Sequence, residues 1–288
     1  MKNAQLSLPA PAKINLFLHI IGRRADGYHR LQTLFQLLDY GDQLDFRDRD
    51  DAIITLTPTH PQIAEHDNLV HRAAKALQQA ALAQQPTKCC GADIHLRKCL
   101  PLGGGLGGGS SDAATTLIGL NRLWQLDFSR QELAAIGLKL GADVPVFIHG
   151  RTAWAEGIGE ILTPVEIDQR WYLILAPKVE VATATIFSHQ QLTRDAHAIT
   201  IRAFLEQGGS NACQAIAEKL YPEVKTARKW LEQYATVRMT GTGACIFASF
   251  ENEAQARKVL ADVPQRWQAF VARGVNHSPA YPSSALSK

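Results

Sequence analysis

A dense run of glycines constrains this chain more than any other feature. Six of the seven residues at 103–109 are glycine. Residues 92–98 alternate apolar and polar side chains before the run, which predicts a half-buried strand. Residues 113–124 repeat apolar side chains at helical spacing after it, with Ser110 or Ser111 as the predicted N-cap. The sequence therefore predicts a strand, a bare loop and a helix in direct succession.

Such a loop is suited to binding phosphate. Glycine allows positive φ and close approach of the backbone to a ligand, so successive N–H groups can point into one concavity. The N-terminus of the following helix adds partial positive charge. The predicted phosphate-binding residues are Pro101, Leu102, Gly103, Gly104, Gly105, Leu106, Gly107, Gly108, Gly109, Ser110 and Ser111.

Three other interpretations of the loop are open. A flexible linker is one, although linkers rarely lie between a periodic strand and a periodic helix. A dinucleotide fingerprint is nominally present, with Asp127 at the position of the ribose-binding acid. Asp127, however, follows no predicted strand and precedes a capping box formed by Ser129 and Glu132. The third is a Walker P-loop, in which Ser110 occupies the lysine position; a cation must then come from elsewhere.

The whole chain has the composition of an ordinary soluble protein. Its 288 residues predict two domains or one large one, with 46% hydrophobic residues and a net charge of +3. That charge is too small to predict nucleic-acid binding but suits an anionic ligand. No apolar run approaches the roughly 20 residues of a membrane span. Five cysteines without metal or disulfide spacing favour a reducing cytoplasm and no structural metal.

Strands are mixed with helices in both halves of the chain, which predicts an α+β protein of two domains. In the first half, strands are predicted over 12–20, 31–37, 43–46 and 53–56, and helices over 68–83 and 130–140. The rhythm restarts near residue 160. The predicted domains are residues 1–160 and residues 161–288.

Two charged residues suggest phosphoryl transfer beside the glycine loop. Lys13 and Asn15 share the polar face of a predicted strand, and periodicity alone favours a solvated edge there. Asp143 follows a helix end, where an isolated aspartate is usually a turn or cap residue. A Lys–Asp pair beside bound phosphate would nevertheless supply both a cation and a proton acceptor for transfer to a hydroxyl.

Two further segments carry weaker signals. Tyr28 and His29 follow a predicted turn, where packing and a surface hydrogen bond compete with ligand recognition. Residues 240–243 form a second glycine loop between predicted strands, and a simple hairpin explains it equally well.

Taken together, these segments resemble the GHMP small-molecule kinases. Residues 11–16 resemble the first motif of that family, residues 101–111 the second, and residues 239–245 the third. The closest pieces resemble a branch that transfers phosphate from ATP to the 2-hydroxyl of the erythritol portion of a cytidine diphosphate-linked substrate. That branch serves a non-mevalonate route to isoprenoid precursors. Two positions depart from the family pattern, because Ala212 replaces an acidic residue after Asn211 and Thr240 and Thr242 replace serines.

The resemblance implies a two-domain GHMP kinase architecture, with a ribosomal-protein-S5-like N-terminal domain that binds ATP and a ferredoxin-like C-terminal domain that completes the substrate cleft. It implies Lys13 and Asp143 as catalytic residues and Mg²⁺ with ATP, bound by Ser111. It places Asn68 and Lys98 near the adenine. Tyr28 and Phe187 would sandwich the cytosine, His29 would contact its polar edge, and Asn15 and Thr183 would help to hold the substrate. Either a monomer or a homodimer is compatible with it.

Alternative functions remain open. A nicotinamide-dependent oxidoreductase would use the dinucleotide fingerprint, but the expected acid lacks its strand. Another GHMP kinase, acting on mevalonate or homoserine, would share the same loop. A non-catalytic RNA-binding module would need a basic cluster with interleaved aromatic residues, which only Arg23 and Arg24 approach.

Overall fold

The computed structural model describes residues 4–58 and 64–281. Within them, both halves of the chain contain runs of strands and runs of helices, as expected for an α+β protein. The strands are β1 (Gln5–Arg23), β2 (His29–Arg49), β3 (Ile54–Thr57), β4 (Gly91–Arg97), β5 (Ala153–Glu156), β6 (Ile161–Pro164), β7 (Trp171–Ala176), β8 (Val237–Met239), β9 (Ile246–Phe250) and β10 (Gln268–Val275). The helices are α1 (Leu69–Gln84), α2 (Gly108–Leu123), α3 (Arg130–Leu138), α4 (Val144–His149), α5 (Thr183–Ser188), α6 (Ile201–Gln207), α7 (Gln214–Leu220), α8 (Pro222–Leu231) and α9 (Glu253–Ala261).

β1 and β2 form one long antiparallel hairpin. The prediction of separate strands at 31–37 and 43–46 is wrong, because β2 runs continuously through both segments. The continuity depends on Gly41, which lies opposite Pro11. A Cβ at Gly41 would stand 2.0 Å from the Ala10 carbonyl oxygen, so only glycine lets the two backbones approach here.

The alternating pattern of β1 does not give it a solvated face. Every residue from Ala10 to Leu18 is buried, and Lys13 and Asn15 are each only 3% exposed. The solvated-edge interpretation of these two residues is therefore wrong. The alternating sequence indicates that the two faces of β1 differ in polarity. It does not indicate that a loop from another part of the chain covers the polar face.

A sheet runs through both halves of the described chain, in the order β3-β4-β2-β10-β7-β9-β8, with β1 also paired to β2. In the first half, α1 connects β3 to the parallel strand β4, and α1 packs beside α2. Leu77 of α1, Leu117 of α2 and Phe46 of β2 belong to one buried apolar cluster. This core holds the start of α2 rigidly against β1 and β2.

The second half forms its own core around β7, β8 and β9, including Leu173, Val224 and Ile246. β10 connects the halves by pairing with β7 along most of its length and with β2 at Gly274 and Val275. The predicted domain boundary at residue 160 stays a prediction. Within the described residues, 4–58 and 64–281, no helix has both the length and the apolar character needed to cross a membrane.

Candidate active site

The glycine loop turns directly into α2, but its cap differs from the predicted one. Gly107, with φ of 72°, occupies the N-cap position, and the helix begins at Gly108. The predicted serine cap is therefore wrong, because Ser110 and Ser111 lie inside the first turn. The Ser111 N–H already bonds to the Gly107 carbonyl oxygen at 2.8 Å. The N–H groups of the three preceding residues lack intrahelical partners, as in any first helical turn, and point toward the loop.

Lys13 brings the loop, β1 and a distant connector together. Its Nζ lies 3.0 Å from the Gly105 carbonyl oxygen and 2.7 Å from Asn15 Oδ1. Nζ also lies 3.2 Å from Asp143 Oδ2. The cation that the glycine loop itself lacks is thus supplied by Lys13, whose position in the chain is 92 residues from Gly105.

Asp143 is not the capping residue that its sequence context favours. It occupies the N-cap position of α4 but makes no side-chain capping hydrogen bond. Its carboxylate instead pairs with Lys13, and its side chain keeps 34% of its exposure. The buried ammonium of Lys13 therefore holds Oδ2 of Asp143, while the Asp143 carboxylate remains accessible to a ligand.

The open edge of β1 is closed by the two glycine loops. The Lys13 N–H donates to the Leu106 carbonyl oxygen at 2.9 Å. Two residues later, the Asn15 N–H donates to Thr240 Oγ1 at 3.0 Å, and Thr240 Oγ1 in turn donates to the Gly105 carbonyl oxygen at 3.0 Å. Thr240 is wholly buried. The loop at 240–243 connects the antiparallel strands β8 and β9, as the hairpin interpretation predicts, and it also supports the first glycine loop.

These groups border a cavity of about 780 Å³. One end carries Lys13, Asp143 and Gly105, and the other carries Tyr28, His29 and Phe187, so that predicted catalytic and predicted substrate residues share one space. The further predicted site residues that line it are Asn15, Gly103, Ser110 and Thr183.

The aromatic end of the cavity is preassembled. The rings of His29 and Phe187 stack with centroids 5.1 Å apart and an interplanar angle of 23°. Tyr28 is 60% exposed at the mouth. Burial lowers the pKa of His29, and the positive charges of Arg194 and Arg23 lower it further, so His29 is neutral at physiological pH.

Thr183 and Asn15 connect this end to the glycine loops. Thr183 Oγ1 lies 3.0 Å from Thr242 Oγ1 in the second loop. Asn15 Nδ2 donates to Thr33 Oγ1 at 2.9 Å. Both side chains therefore have fixed positions before any ligand binds.

Asn68 and Lys98, predicted near the adenine, have structural partners and do not line this cavity. Asn68 caps α1, accepting a hydrogen bond from the Val70 N–H at 2.9 Å. Lys98 Nζ pairs with Asp42 at 2.5 Å and with Asp112 at 2.8 Å. Their role toward ATP stays a prediction.

Lys98 shares its charge between two buried carboxylates. Burial raises the pKa of Asp112 to about 7, an effect opposed by Lys98 and reinforced by Asp42. The nearby carboxylates in turn raise the pKa of Lys98 against the effect of burial. Because Asp112 follows the first turn of α2, this cluster holds the start of the helix in place next to the glycine loop.

Ser111 offers the best fit to a metal bound with nucleotide. Its hydroxyl is fully buried, and Oγ has no hydrogen-bond partner among the residues that the structure describes. Buried hydroxyls normally have one. The described residues also contain no group of three or more His, Cys, Asp or Glu able to hold a metal.

Sequence reasoning missed Arg194 and the contacts of Thr240. Arg194 donates to His29 Nε2 at 3.1 Å but lies in a segment without motif or periodicity. Thr240 belongs to a segment whose two glycines did signal a special loop, although nothing local indicates which element it contacts.

Sequence comparison agrees with the geometry. The model of the GHMP kinases N terminal domain matches residues 68–151, and that of the GHMP kinases C terminal matches residues 193–269. A protein of Hahella chejuensis named 4-diphosphocytidyl-2-C-methyl-D-erythritol kinase is 53% identical over 97% of this chain and 96% of its own length. A protein of the same name from Pseudomonas paraeruginosa is 56% identical over 95% of both.

Structure comparison extends the match to the whole fold. A crystal structure of 4-(cytidine 5'-diphospho)-2C-methyl-D-erythritol kinase superposes with a TM-score of 0.81 and 32% identity, covering 94% of this chain and 100% of that one. The mevalonate kinase of Methanococcus jannaschii, at 14% identity and a TM-score of 0.66 over 96% of this chain and 99% of its own, shares the fold. Models of both GHMP kinase domains match the chain, and named relatives align with it over nearly its whole length. Together with the three motifs, these matches show that the chain belongs to the GHMP kinase family.

Proposed function

We propose that this protein transfers the γ-phosphoryl group of ATP to the 2-hydroxyl of 4-diphosphocytidyl-2-C-methyl-D-erythritol, a step toward isoprenoid precursors. Relatives that carry the corresponding name are 53% and 56% identical over nearly the whole chain. The observation that carries the proposal is the contact of Lys13 Nζ with both Asp143 Oδ2, at 3.2 Å, and the Gly105 carbonyl oxygen, at 3.0 Å. It joins a cation, an acid and a phosphate loop at one end of the cavity.

The polyphosphate of ATP is proposed to bind along residues 101–111. Positive φ at Gly103, Gly105 and Gly107 turns the backbone so that N–H groups line the loop. The unpartnered N–H groups at the start of α2 extend this positive surface. Main-chain donors of this kind bind phosphate without the lysine of a Walker loop.

Asp143 is proposed to accept the proton of the 2-hydroxyl, and Lys13 to offset the charge that develops during transfer. A loose phosphoryl-transfer transition state needs little early proton removal, so alignment by the carboxylate matters more than its basicity. The ammonium of Lys13 is almost completely shielded from water. Shielding strengthens its interaction with developing negative charge.

Mg²⁺ is proposed to accompany ATP, with Ser111 as its protein ligand. The unpartnered, buried Oγ of Ser111 fits an oxygen ligand of a hard cation. Mg²⁺ retains several waters and phosphate oxygens in such sites, so one hydroxyl ligand from the protein is sufficient. When bound, the ion neutralises phosphate charge.

The aromatic end is proposed to bind the cytidine portion. Phe187 stacks with His29 in an offset arrangement, so Phe187 and the ring of Tyr28 would hold the cytosine between them, beside the imidazole. His29 would contact the polar edge of the base. Asn15 and Thr183, fixed by their own hydrogen bonds, would contact the rest of the substrate.

Activity is tested by measuring ADP release with ATP and each of three acceptors: the cytidylyl compound, mevalonate and homoserine. We expect turnover with the cytidylyl compound alone, and ³¹P NMR of the product should locate the new phosphate at the 2-position. If ADP forms only with mevalonate or homoserine, the proposed acceptor is wrong and the proposed kinase activity stands.

The catalytic pair is tested with Asp143→Asn and Lys13→Met. Each should lower kcat about 10²- to 10³-fold, the usual effect of removing one preorganised electrostatic group, with ATP affinity preserved. Asp127→Asn is the matched control, because Asp127 is exposed and lies in the segment between α2 and α3. Loss of ATP binding in a folded Lys13 or Asp143 variant would contradict the assigned roles. Loss of activity in the control would revive the dinucleotide interpretation.

A cytoplasmic location is proposed on the five cysteines, all of which are free thiols. Either a monomer or a homodimer is compatible with the proposed single-chain site, and gel filtration with light scattering distinguishes them.

A further inference from the structure

Arg194 is anchored on the wall of the aromatic pocket by a set of hydrogen bonds. Its guanidinium donates to the carbonyl oxygens of Phe187 and His189, each at 2.9 Å, and of Leu192 at 3.1 Å. Its Nε donates to His29 Nε2 at 3.1 Å. Arg194 thereby connects the two stacked rings, one through its backbone and the other through its imidazole.

The bond to His29 determines where the imidazole carries its proton. A guanidinium is always protonated and can only donate. His29 Nε2 must therefore present a lone pair, which places the single ring proton of a neutral imidazole on Nδ1. Among the described residues, no hydrogen bond occupies Nδ1, so the histidine can offer that N–H to a ligand in the cavity.

Two neighbouring charges also oppose protonation of the ring. Besides Arg194, Arg23 lines the same cavity and lies on the chain segment that leads into the Tyr28 turn. A second ring proton would have to replace the lone pair that accepts from Arg194. The imidazole is thus constrained to a neutral form with one donor of known position.

We propose that Arg194 is a positioning residue that makes His29 a hydrogen-bond donor and thereby selects cytosine over uracil in the substrate. The proposal rests on the function proposed above. The two bases have similar shapes, so stacking on Tyr28 and Phe187 does not separate them. They differ at N3, which is an acceptor in cytosine and an N–H donor in uracil.

A donor fixed on His29 matches the first base and opposes the second. The Nδ1–H group can donate to cytosine N3, whereas it meets a second donor at uracil N3. The imidazole cannot switch tautomer to relieve this conflict without losing the bond from Arg194. A buried polar group left without a partner typically changes affinity about tenfold to a hundredfold, which sets the expected discrimination.

The tautomer is measured first, by ¹⁵N NMR of the histidine ring in the ligand-free enzyme near pH 7.5. We expect His29 to be neutral, with the proton on Nδ1, and Arg194→Met to change its ring shifts toward a mixture of tautomers. The ring signals of His29 are assigned by their absence from the spectrum of His29→Gln. A wild-type ring protonated on Nε2, or on both nitrogens, would overturn the proposal.

Selectivity is measured as the ratio of kcat/KM for the cytidine substrate to that for its uridine analogue. Arg194→Met should lower the ratio about tenfold or more, mainly through KM, with the KM for ATP unchanged. Arg23→Met is the matched control, because it removes a cation from the same cavity without touching His29 Nε2. Arg23→Met should leave the ratio of the two kcat/KM values unchanged, even if it weakens the binding of both substrates.

An unchanged ratio in Arg194→Met, or an equal loss in Arg23→Met, would refute the role given to Arg194. These outcomes are separate from failure of the proposed function. If the wild-type enzyme does not phosphorylate the cytidine substrate at all, the function is wrong, whereas the tautomer measured by NMR still tests the Arg194–His29 contact.

Discussion

Thr240 provides the sharpest test of how the site is supported. Its hydroxyl joins three segments, accepting from the Asn15 N–H at 3.0 Å and donating to the Gly105 carbonyl oxygen at 3.0 Å. Replacing Thr240 by valine keeps the shape and removes the hydroxyl. We expect the variant to loosen the glycine loop without unfolding the protein.

The size of the effect follows from the partners left behind. In Thr240→Val, the Gly105 carbonyl oxygen keeps its bond from Lys13 Nζ at 3.0 Å. The Asn15 N–H loses Thr240 Oγ1 and stays buried. One orphaned donor costs about 1–3 kcal/mol. Thr240→Ser is the matched control, because it keeps the hydroxyl and removes one methyl group, at a cost of about 1 kcal/mol.

Thermal unfolding and steady-state kinetics measure the two consequences. Each kcal/mol lost should lower Tm by about 2–4 °C, and the KM for ATP should rise in Thr240→Val but not in Thr240→Ser. The reasoning is refuted if the two variants have the same Tm and the same KM for ATP, since the hydroxyl would then carry no support for the loop.

Three further predictions concern the same loop. Gly104→Ala should cost about 1–3 kcal/mol of stability, because its Cβ would stand 2.5 Å from Cys245 Sγ; adding Cys245→Ala should restore most of the loss, and purely additive losses in a double-mutant cycle would contradict this contact. Ser111→Ala should raise the Mg²⁺ concentration needed for half-maximal activity, with Tm preserved as the control; an unchanged Mg²⁺ requirement would exclude Ser111 as a ligand. The raised pKa of Asp112, about 7, lies above that of the unfolded chain, so its contribution to stability is present at acidic pH and is lost as pH rises toward 7; denaturant titrations from pH 4 to 8 should show a flatter profile for Asp112→Asn, and identical profiles would contradict the shift.

Local chemistry explains why some predictions succeeded. The capping box of Ser129 and Glu132 is present at the start of α3, because its bonds join residues three positions apart. The strand before the glycine loop and the helix after it are also present. In each case the residues that determine the structure lie within one or two turns of one another.

One failed prediction is local, whereas the others involve contacts with distant segments. The serine cap failed because Gly107 turns the chain earlier, which leaves Ser111 Oγ buried without a partner. The solvated face of β1 failed because the glycine loop covers Lys13. Periodicity describes the chain's own alternation and contains no information about what packs against it.

The sequence by itself determined the glycine loop between a strand and a helix, since glycines allow the positive φ that three of its residues adopt. It also identified the family, because three motifs occur in order over most of the chain. Only the tertiary structure decided that Lys13 contacts Asp143, that Thr240 donates to Gly105 and that Arg194 donates to His29. The physical reason is range: backbone conformation is set by neighbours in sequence, whereas the position of a charge depends on which segments the core brings together.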